Sequence, residues 1–547
     1  MRRSLSMHSI VISLTAAVIA TNALAQTPPD AGALQQQIER ERAVPLPKKL
    51  EPVKRAAPAV MKPVSGMLIS VKKFNFAGNT LIAADQLAPV VLPYLNRPLD
   101  FNELQAAAAA VANAFREAGW VVRAYLPAQD IKDGVITIQI VEAVFGGTQL
   151  EGKAKRVSEK QILRRVEAQQ TKGRLLNADA LDRAMLLADD LPGVGVAGAL
   201  SQGKEDGETD LILKLNDEAL MNGDANLDNT GSRSTGRERF AANINLSSPF
   251  KFGDLLNSSL IHTQGSNYAR LGYSVPVGAK GLRIGASASH LGYKLISSDF
   301  AGLGGKGTSN SAGIEASYPL IRSRLKNLYY SLNADHKSFD NEFSGTTTSQ
   351  YRLNNLSVGL NGNLFDNLGG GGSNAASLAV VTGRRINRIG TTDQRYSKLR
   401  YSFSRQQVIS QQVSLLAALS GQESRNNLDS SERFYLGGAS GVRAYPSSEA
   451  SGSSGTLANI ELRWRLPHDF SVSGFYDYGQ VRNKDGSLSY SLEGAGLAAA
   501  WQSSFGLNLK ASWARRIGDN PNPVITGNDQ DGSLVNNRFW LTANQSF

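Results

Sequence analysis

From Ala219 to Phe547 apolar and polar residues alternate in stretches of about ten, with turn-forming residues between them. In one late stretch Ile460, Leu462, Trp464 and Leu466 fall on one face, and Asn459, Glu461, Arg463 and Arg465 on the other. Another sets Leu507, Leu509, Ala511 and Trp513 against Asn508, Lys510 and Ser512. An early one sets Phe240, Ala242, Ile244 and Leu246 against Arg239, Asn243 and Asn245. Successive side chains of a strand point to opposite faces, so each stretch reads as a strand with one uncharged face and one charged face. A soluble sandwich alternates too, but its inner face is dry and its outer face wet. Here the charged face fits a wet lumen and the apolar face fits lipid, which is the pattern of a transmembrane β-barrel.

About sixteen antiparallel strands are expected, centred from Ala225 and Asn243 through Ile460, Gly474, Leu497 and Leu509 to Leu541. Short connectors carrying Pro249, Pro276, Pro319 and Pro467 read as periplasmic turns. Long polar stretches, Leu291–Asn310, Glu423–Ser454 and Arg516–Val535, read as loops on the other side. An even strand number returns the C-terminus to the side of the N-terminal segments. The last strand sets Phe539, Leu541 and the terminal Phe547 on one face. That ending resembles the signal by which barrel assembly machinery recognises outer-membrane proteins.

Before the barrel the period changes. Leu68–Val144 reads β-α-α-β-β: a strand at Ile69–Phe76, helices at Ala84–Tyr94 and Phe101–Ala118, and strands at Val121–Leu126 and Val135–Val141. Phe145–Asn216 repeats that order, with helices at Ser158–Ala168 and Asn177–Leu191. Asp30–Arg42 reads as a short helix capped by Asp30, with Leu34 and Ile38 one turn apart and the rest polar. Alone it is marginal, so it needs a partner surface or a polar cavity. The segment 43–66 alternates five prolines with lysine and arginine and reads as an extended leash. At about 3.1 Å per residue it reaches roughly 70 Å, more than a hydrocarbon core of about 30 Å. Arg2, Arg3, the apolar run Ile10–Ala20 and Ala23-Leu24-Ala25 read as a signal peptide over 1–25. The expected divisions are therefore 1–25, 26–42, 43–66, 67–143, 144–217 and 218–547.

Composition removes alternatives. No cysteine is present among the 547 residues, which excludes disulfides and Cys-ligated metals. The net charge of +11 has no basic run interleaved with aromatics, so no nucleic acid partner is expected. His262, His290, His336 and His468 are scattered without metal spacing. No nucleophile elbow occurs, and no catalytic residue, cofactor or metal is expected. Gly193-Val194-Gly195-Val196-Ala197-Gly198 follows a helix and opens a strand, the reverse of a dinucleotide site, and reads as a turn. The cluster Lys153, Lys155, Arg156, Lys160, Arg164 and Arg165 reads first as a solvated face and second as a surface for an acidic client.

Tandem small α+β units before a sixteen-stranded barrel resemble the outer-membrane transporters of two-partner secretion, the haemolysin/adhesin secretion-activation family. The resemblance covers nearly the whole chain after the signal peptide. Ala33-Leu34-Gln35-Gln36-Gln37-Ile38-Glu39-Arg40 is similar to the family's plug helix, and Phe74-x-Phe76-x-Gly78-Asn79-Thr80 to the start of its first polypeptide-transport-associated (POTRA) domain. Phe434-Tyr435-Leu436-Gly437-Gly438 and Val442-Arg443-Ala444-Tyr445-Pro446 resemble the family's long loop, whose usual Val-Arg-Gly-Tyr has Ala444 here in place of Gly. If that position needs a positive φ, Ala444 is strained. The resemblance implies that this loop folds into the barrel and that Arg443 pairs with Asp477 of the wall motif Phe475-x-Asp477-x-Gly479. Alternation independently turns Asp477 inward.

The resemblance implies export of an unfolded partner that carries its own N-terminal secretion domain: an adhesin, a haemolysin or a contact-dependent toxin. Such a client strand would add to a sheet edge, with Val135–Val141 the candidate. It would then cross the barrel once the plug helix leaves, without nucleotide hydrolysis. Outer-membrane lipid and the assembly machinery are the other expected partners. An insertase for barrel proteins is the alternative, but it usually has more small domains and lacks the plug helix and leash. A solute porin has no reason to carry periplasmic domains.

Overall fold

In the computed structural model the described residues are 28–41, 46–47, 68–205, 207–389, 393–447, 449–524 and 526–547. The expected signal peptide lies outside them, as does the leash apart from residues 46–47.

A helix α1, Ala31–Glu41, comes first. Asp30 caps it, its Oδ1 accepting from the Ala33 N–H at 2.8 Å. The first small domain follows, with β1 (Lys73–Ala77), α2 (Ala84–Val91), α3 (Phe101–Glu117), β2 (Val122–Tyr125) and β3 (Val135–Glu142). Asp100 and Glu103 form a reciprocal capping box at the start of α3. Leu104, Val111 and Phe115 of α3 bury against Ile136, Ile138 and Ile140 of β3. The sheet order is β1-β3-β2. The strand Val135–Glu142 is therefore central, parallel to β1 and antiparallel to β2, and it is not the free edge expected of Val135–Val141. Both its sides are already hydrogen-bonded.

The second domain has β4 (Val144–Glu151), α4 (Glu159–Glu167), α5 (Ala178–Asp189), β5 (Val194–Gln202) and β6 (Glu208–Asp217). Its order is β4-β6-β5, so β4 and β5 are the edges. The β4 edge is covered in part by its own loop, where Phe145 donates to the Arg174 carbonyl and accepts from Gly173. On β5 the hydrogen-bonding phase follows from two contacts: Gly203 pairs with Glu208 across to β6, and the Val196 N–H turns away to Asp189 Oδ1 at 2.7 Å. The N–H and C=O groups of Gly198, Leu200 and Gln202 consequently face away from β6. Gly193 takes φ +93° in the turn between α5 and β5, as a chain reversal requires.

Sixteen antiparallel strands, from Met221–Asp228 to Asn537–Ser546, close into one barrel among the described residues. Each strand centre read from the sequence lies inside one of them. Lengths differ from the expectation: Lys306–Arg322, Lys326–Phe343, Thr346–Asp366 and Gly372–Ile389 run 17, 18, 21 and 18 residues. The loop expected over Leu291–Asn310 is accordingly shorter, with strands persisting to Lys294 and resuming at Lys306. Pro276 and Pro319 sit inside strands rather than in turns. At Pro319 the missing donor coincides with a register shift toward Ile321. Phe539, Leu541 and Phe547 are all exposed on the outer wall. The terminal Phe547 exchanges two backbone hydrogen bonds with Gly223 of the first strand, both 3.0 Å. That contact extends a short seam between last and first strands, paired from Thr542↔Asp228 to Ser546↔Asp224.

The second domain rests on the barrel's periplasmic rim. Arg322 makes a two-pronged pair with Asp190, at 2.7 and 2.9 Å. Arg324 pairs with Asp182 at 2.9 and 3.1 Å. Arg183 donates to the Pro319 carbonyl and Ser248 to the Pro192 carbonyl.

Candidate functional site

Among the described residues a loop and the helix α1 occupy the lumen. The loop joins Val413–Ser424 to Ser454–Arg465 and folds inward as a hairpin, with Phe434-Tyr435 paired to Ser451-Gly452. Its tip is tight because Gly437 and Gly441 lie against carbonyls. A Cβ would meet the Pro446 oxygen at 2.0 Å from one and the Leu436 oxygen at 1.7 Å from the other.

The structure brings Arg443 and Asp477 together. Arg443 Nε and Nη2 donate to the two Asp477 oxygens at 2.9 and 2.8 Å, the bidentate geometry a guanidinium allows. Its own N–H adds a third bond to Asp477, at 3.1 Å. Arg443 Nη1 reaches Glu461 at 3.0 Å, and the guanidinium lies 3.3 Å from the Phe475 ring centroid. Asn459 donates to Asp477 at 2.7 Å, and Trp540 Nε1 to the Arg443 carbonyl at 2.8 Å. The side chains of Arg443 and Asp477 are 8% and 0% exposed. At that burial, leaving either charge alone costs about 3–5 kcal/mol.

The rest of both motifs has a steric reading. Val442 is buried among Leu436, Leu457 and Phe475. Tyr445 is buried with the Arg516 guanidinium 4.4 Å from its ring. Gly479 leaves room for Leu436, whose Cδ2 would be 2.6 Å from an added Cβ. Ala444 is absent from the positive-φ positions, so its backbone is unstrained. Its methyl faces Gly494 of the wall, where a second Cβ would stand 2.6 Å away.

Helix α1 fills the lumen beside this loop. Ala31 and Leu34 bury against Leu291, Tyr293, Phe339 and Tyr351, with Ile38 half-buried on the same cluster. The polar faces are all engaged. Glu39 pairs with Lys337 at 2.7 Å and Glu41 with Arg239 at 2.5 Å. Asp30 accepts from Ser430 at 2.7 Å. Gln36 and Gln37 donate to the carbonyls of Arg433 and Ser447 at 3.4 and 3.1 Å, and Arg40 to those of Tyr435 and Ser440. Near the other end of the wall, Asn363 donates to the Pro47 carbonyl at 2.7 Å, so Pro47 also lies against the inner face of the barrel.

A second charge cluster joins helix, loop and wall, and sequence reading did not find it. Glu432 of the loop pairs with Lys398 at 2.6 Å and lies 3.9 Å from Lys337. Its carbonyl accepts from Lys398 and Gln422, and Asn355 donates to its carboxylate. Lys337 therefore stands between a helix carboxylate and a loop carboxylate. Glu461 and Trp540 were also missed. Glu461 sat on the charged face of its strand, but alternation does not say which inward charges meet. Among the described residues no cluster of His, Cys, Asp or Glu could hold a metal ion.

The fold and the lumen together define the class: a sixteen-stranded barrel that carries two small α+β domains and holds a helix and an inward loop inside it. Residues 207–502 match the family model of haemolysin secretion/activation protein ShlB/FhaC/HecB, and residues 69–143 match the ShlB-type POTRA domain. The chain belongs to this family, the outer-membrane transporters of two-partner secretion. It is 27% identical to a Heme/hemopexin transporter protein HuxB of Haemophilus influenzae, over 97% of each chain. It is 22% identical to the Outer membrane transporter CdiB of Dickeya dadantii, over 82% of each. Among solved structures, CdiB from Escherichia coli superposes with a TM-score of 0.70 at 20% identity, covering 95% of this chain and 100% of that one. BamA from Haemophilus ducreyi superposes at 0.55 with 15% identity. These likenesses place the barrel in the outer membrane with its small domains in the periplasm.

Proposed function

We propose that the chain captures an unfolded secreted partner at the edge of its second periplasmic domain and passes it through the barrel after α1 withdraws. The observation that carries this reading is the plug itself. Apart from the small apolar contact of Ala31 and Leu34, it is held by ion pairs and carbonyl contacts that water and a passing polypeptide can replace. A strand added to β5 would meet the outward N–H and C=O groups of Gly198, Leu200 and Gln202. That edge carries no proline or lysine that would blunt pairing. The partner is a large protein with an N-terminal secretion domain. No nucleotide motif is present in the sequence, so folding of the exported chain outside supplies direction.

Arg443 and Asp477 hold the loop against the wall so that the lumen keeps its cross-section when the helix leaves. Phe539, Leu541 and Phe547 serve as the assembly signal. The test is secretion of a cognate partner from cells making variants with residues 68–217 deleted, or with Leu200→Pro in β5. Secretion is expected to stop in the first and fall sharply in the second. Unchanged secretion with the two domains removed would overturn the reading. An insertase would instead leave secretion unaffected and lower the assembly of other barrels.

A further inference from the structure

The basic cluster of the second domain divides in the structure. Arg165 turns inward on α4 and is 3% exposed, its Nη1 donating to the Gln161 carbonyl. Lys155 and Arg156 instead lie in the connection between β4 and α4, which the Val157↔Phe252 bridge lays against the periplasmic turn 248–254. Between that connection and the turn is a cavity of about 300 Å³. Lys155, Arg156 and Lys251 form its rim, and Leu220 and Leu246 its floor.

Leu246 belongs to the outer, lipid-facing wall, continuing the face of Phe240, Ala242 and Ile244. Leu220, just before the first strand, is exposed beside it, its carbonyl accepting from the Ser247 N–H. Phe250 and Phe252, 62% and 58% exposed, flank the site. Phe250 packs edge-on against Tyr273 at 6.0 Å. Aromatic side chains at this level mark the border between acyl chains and headgroups. The nearby acids do not cancel the rim. Asp217 lies 4.0 Å from Lys155 Nζ and accepts the Lys155 N–H. Glu218 accepts from the Gly193 N–H, and its carbonyl accepts from Arg156 Nε. Asp254 is engaged by the Phe250 and Phe252 N–H groups and by the Tyr273 hydroxyl. Lys251, the cation at the turn tip, is exposed, and it has φ +64°.

We propose that this cavity binds the headgroup of one anionic phospholipid of the periplasmic leaflet, the phosphate between Lys155, Arg156 and Lys251 and an acyl chain leaving along Leu246 and the lipid-facing wall. Apolar floor and cationic rim are continuous, which favours a lipid over a free anion or an acidic client segment. The bound lipid would join the second domain to the membrane surface where that domain meets the barrel. It would thereby hold the β4–α4 connection against the turn.

The full-length protein in detergent micelles, doped in turn with phosphatidylglycerol, phosphatidylcholine or inorganic phosphate, is examined by native mass spectrometry. Wild type is expected to retain one phosphatidylglycerol and no phosphatidylcholine at the same concentration. Inorganic phosphate in excess should not displace the lipid. Lys155→Gln combined with Lys251→Gln should weaken retention about tenfold or more, as the loss of two interfacial cations implies. Both side chains are exposed, and unchanged heat-modifiable mobility of the barrel would confirm folding. Lys251→Glu alone should also weaken retention. Equal retention of the neutral lipid, displacement by phosphate, or full retention by the double variant would overturn the proposal.

Discussion

Arg443 binds three carboxylate oxygens at once, two from Asp477 and one from Glu461. Lysine offers a point charge without the planar fork. Arg443→Ala is therefore expected to abolish secretion and destabilise the loop by about 3–5 kcal/mol, and Arg443→Lys to leave a partial defect, both read from secreted partner and from barrel melting. Secretion at the wild-type level by Arg443→Ala would refute the role. Glu449, in the same loop, accepts from the Gln530 N–H and from Asn520 of the neighbouring loop. Burial pushes its carboxyl up to about 7. The folded state thus keeps a proton that the unfolded chain releases near its ordinary 4.5. Its contribution is full below that value and is lost as pH rises through about 7. The melting midpoint should be higher at pH 6 than at pH 8, and Glu449→Gln should remove that difference. At this scale the sequence disclosed Arg443 and Asp477 through motif and alternation. It could not disclose Glu432 or Trp540, whose partners come from distant strands.

Among elements, α1 is the one that the proposed function requires to leave. Lys337 sits between Glu39 of the helix and Glu432 of the loop. Lys337→Glu sets like charges against both and should raise the resting conductance in planar bilayers. Adding Glu39→Lys should lower it again, and a conductance indifferent to both would argue against a plug. In β5, Leu200→Pro removes an outward-facing N–H that β6 does not use, so the domain should fold while partner binding falls. Leu200→Ala, which keeps the N–H, should bind normally. Element identity was legible in the sequence because period two and period 3.6 are local properties. Sheet order was not. Val135–Glu142 alternates as an edge strand can, yet it pairs on both sides. The long strands Lys306–Arg322 through Gly372–Ile389 also exceeded a reading tuned to membrane thickness.

For the whole molecule, the ion pairs Arg322–Asp190 and Arg324–Asp182 fix the second domain at the barrel mouth. Replacing both arginines by alanine should broaden the distance distribution between spin labels on α5 and a periplasmic turn. An unchanged distribution would show that the other contacts suffice. The central claim is that the partner crosses a lumen from which α1 has withdrawn. The chain has no cysteine, so an introduced pair supplies the only thiols. Gln37 donates to the Ser447 carbonyl at 3.1 Å, so cysteines at these two positions would face each other across the helix–loop contact, within reach of a short bis-methanethiosulfonate linker. With Gln37→Cys and Ser447→Cys cross-linked to completion, secretion of the partner should stop, and reduction of the linker should restore it. Undiminished secretion through a fully cross-linked barrel would contradict the account.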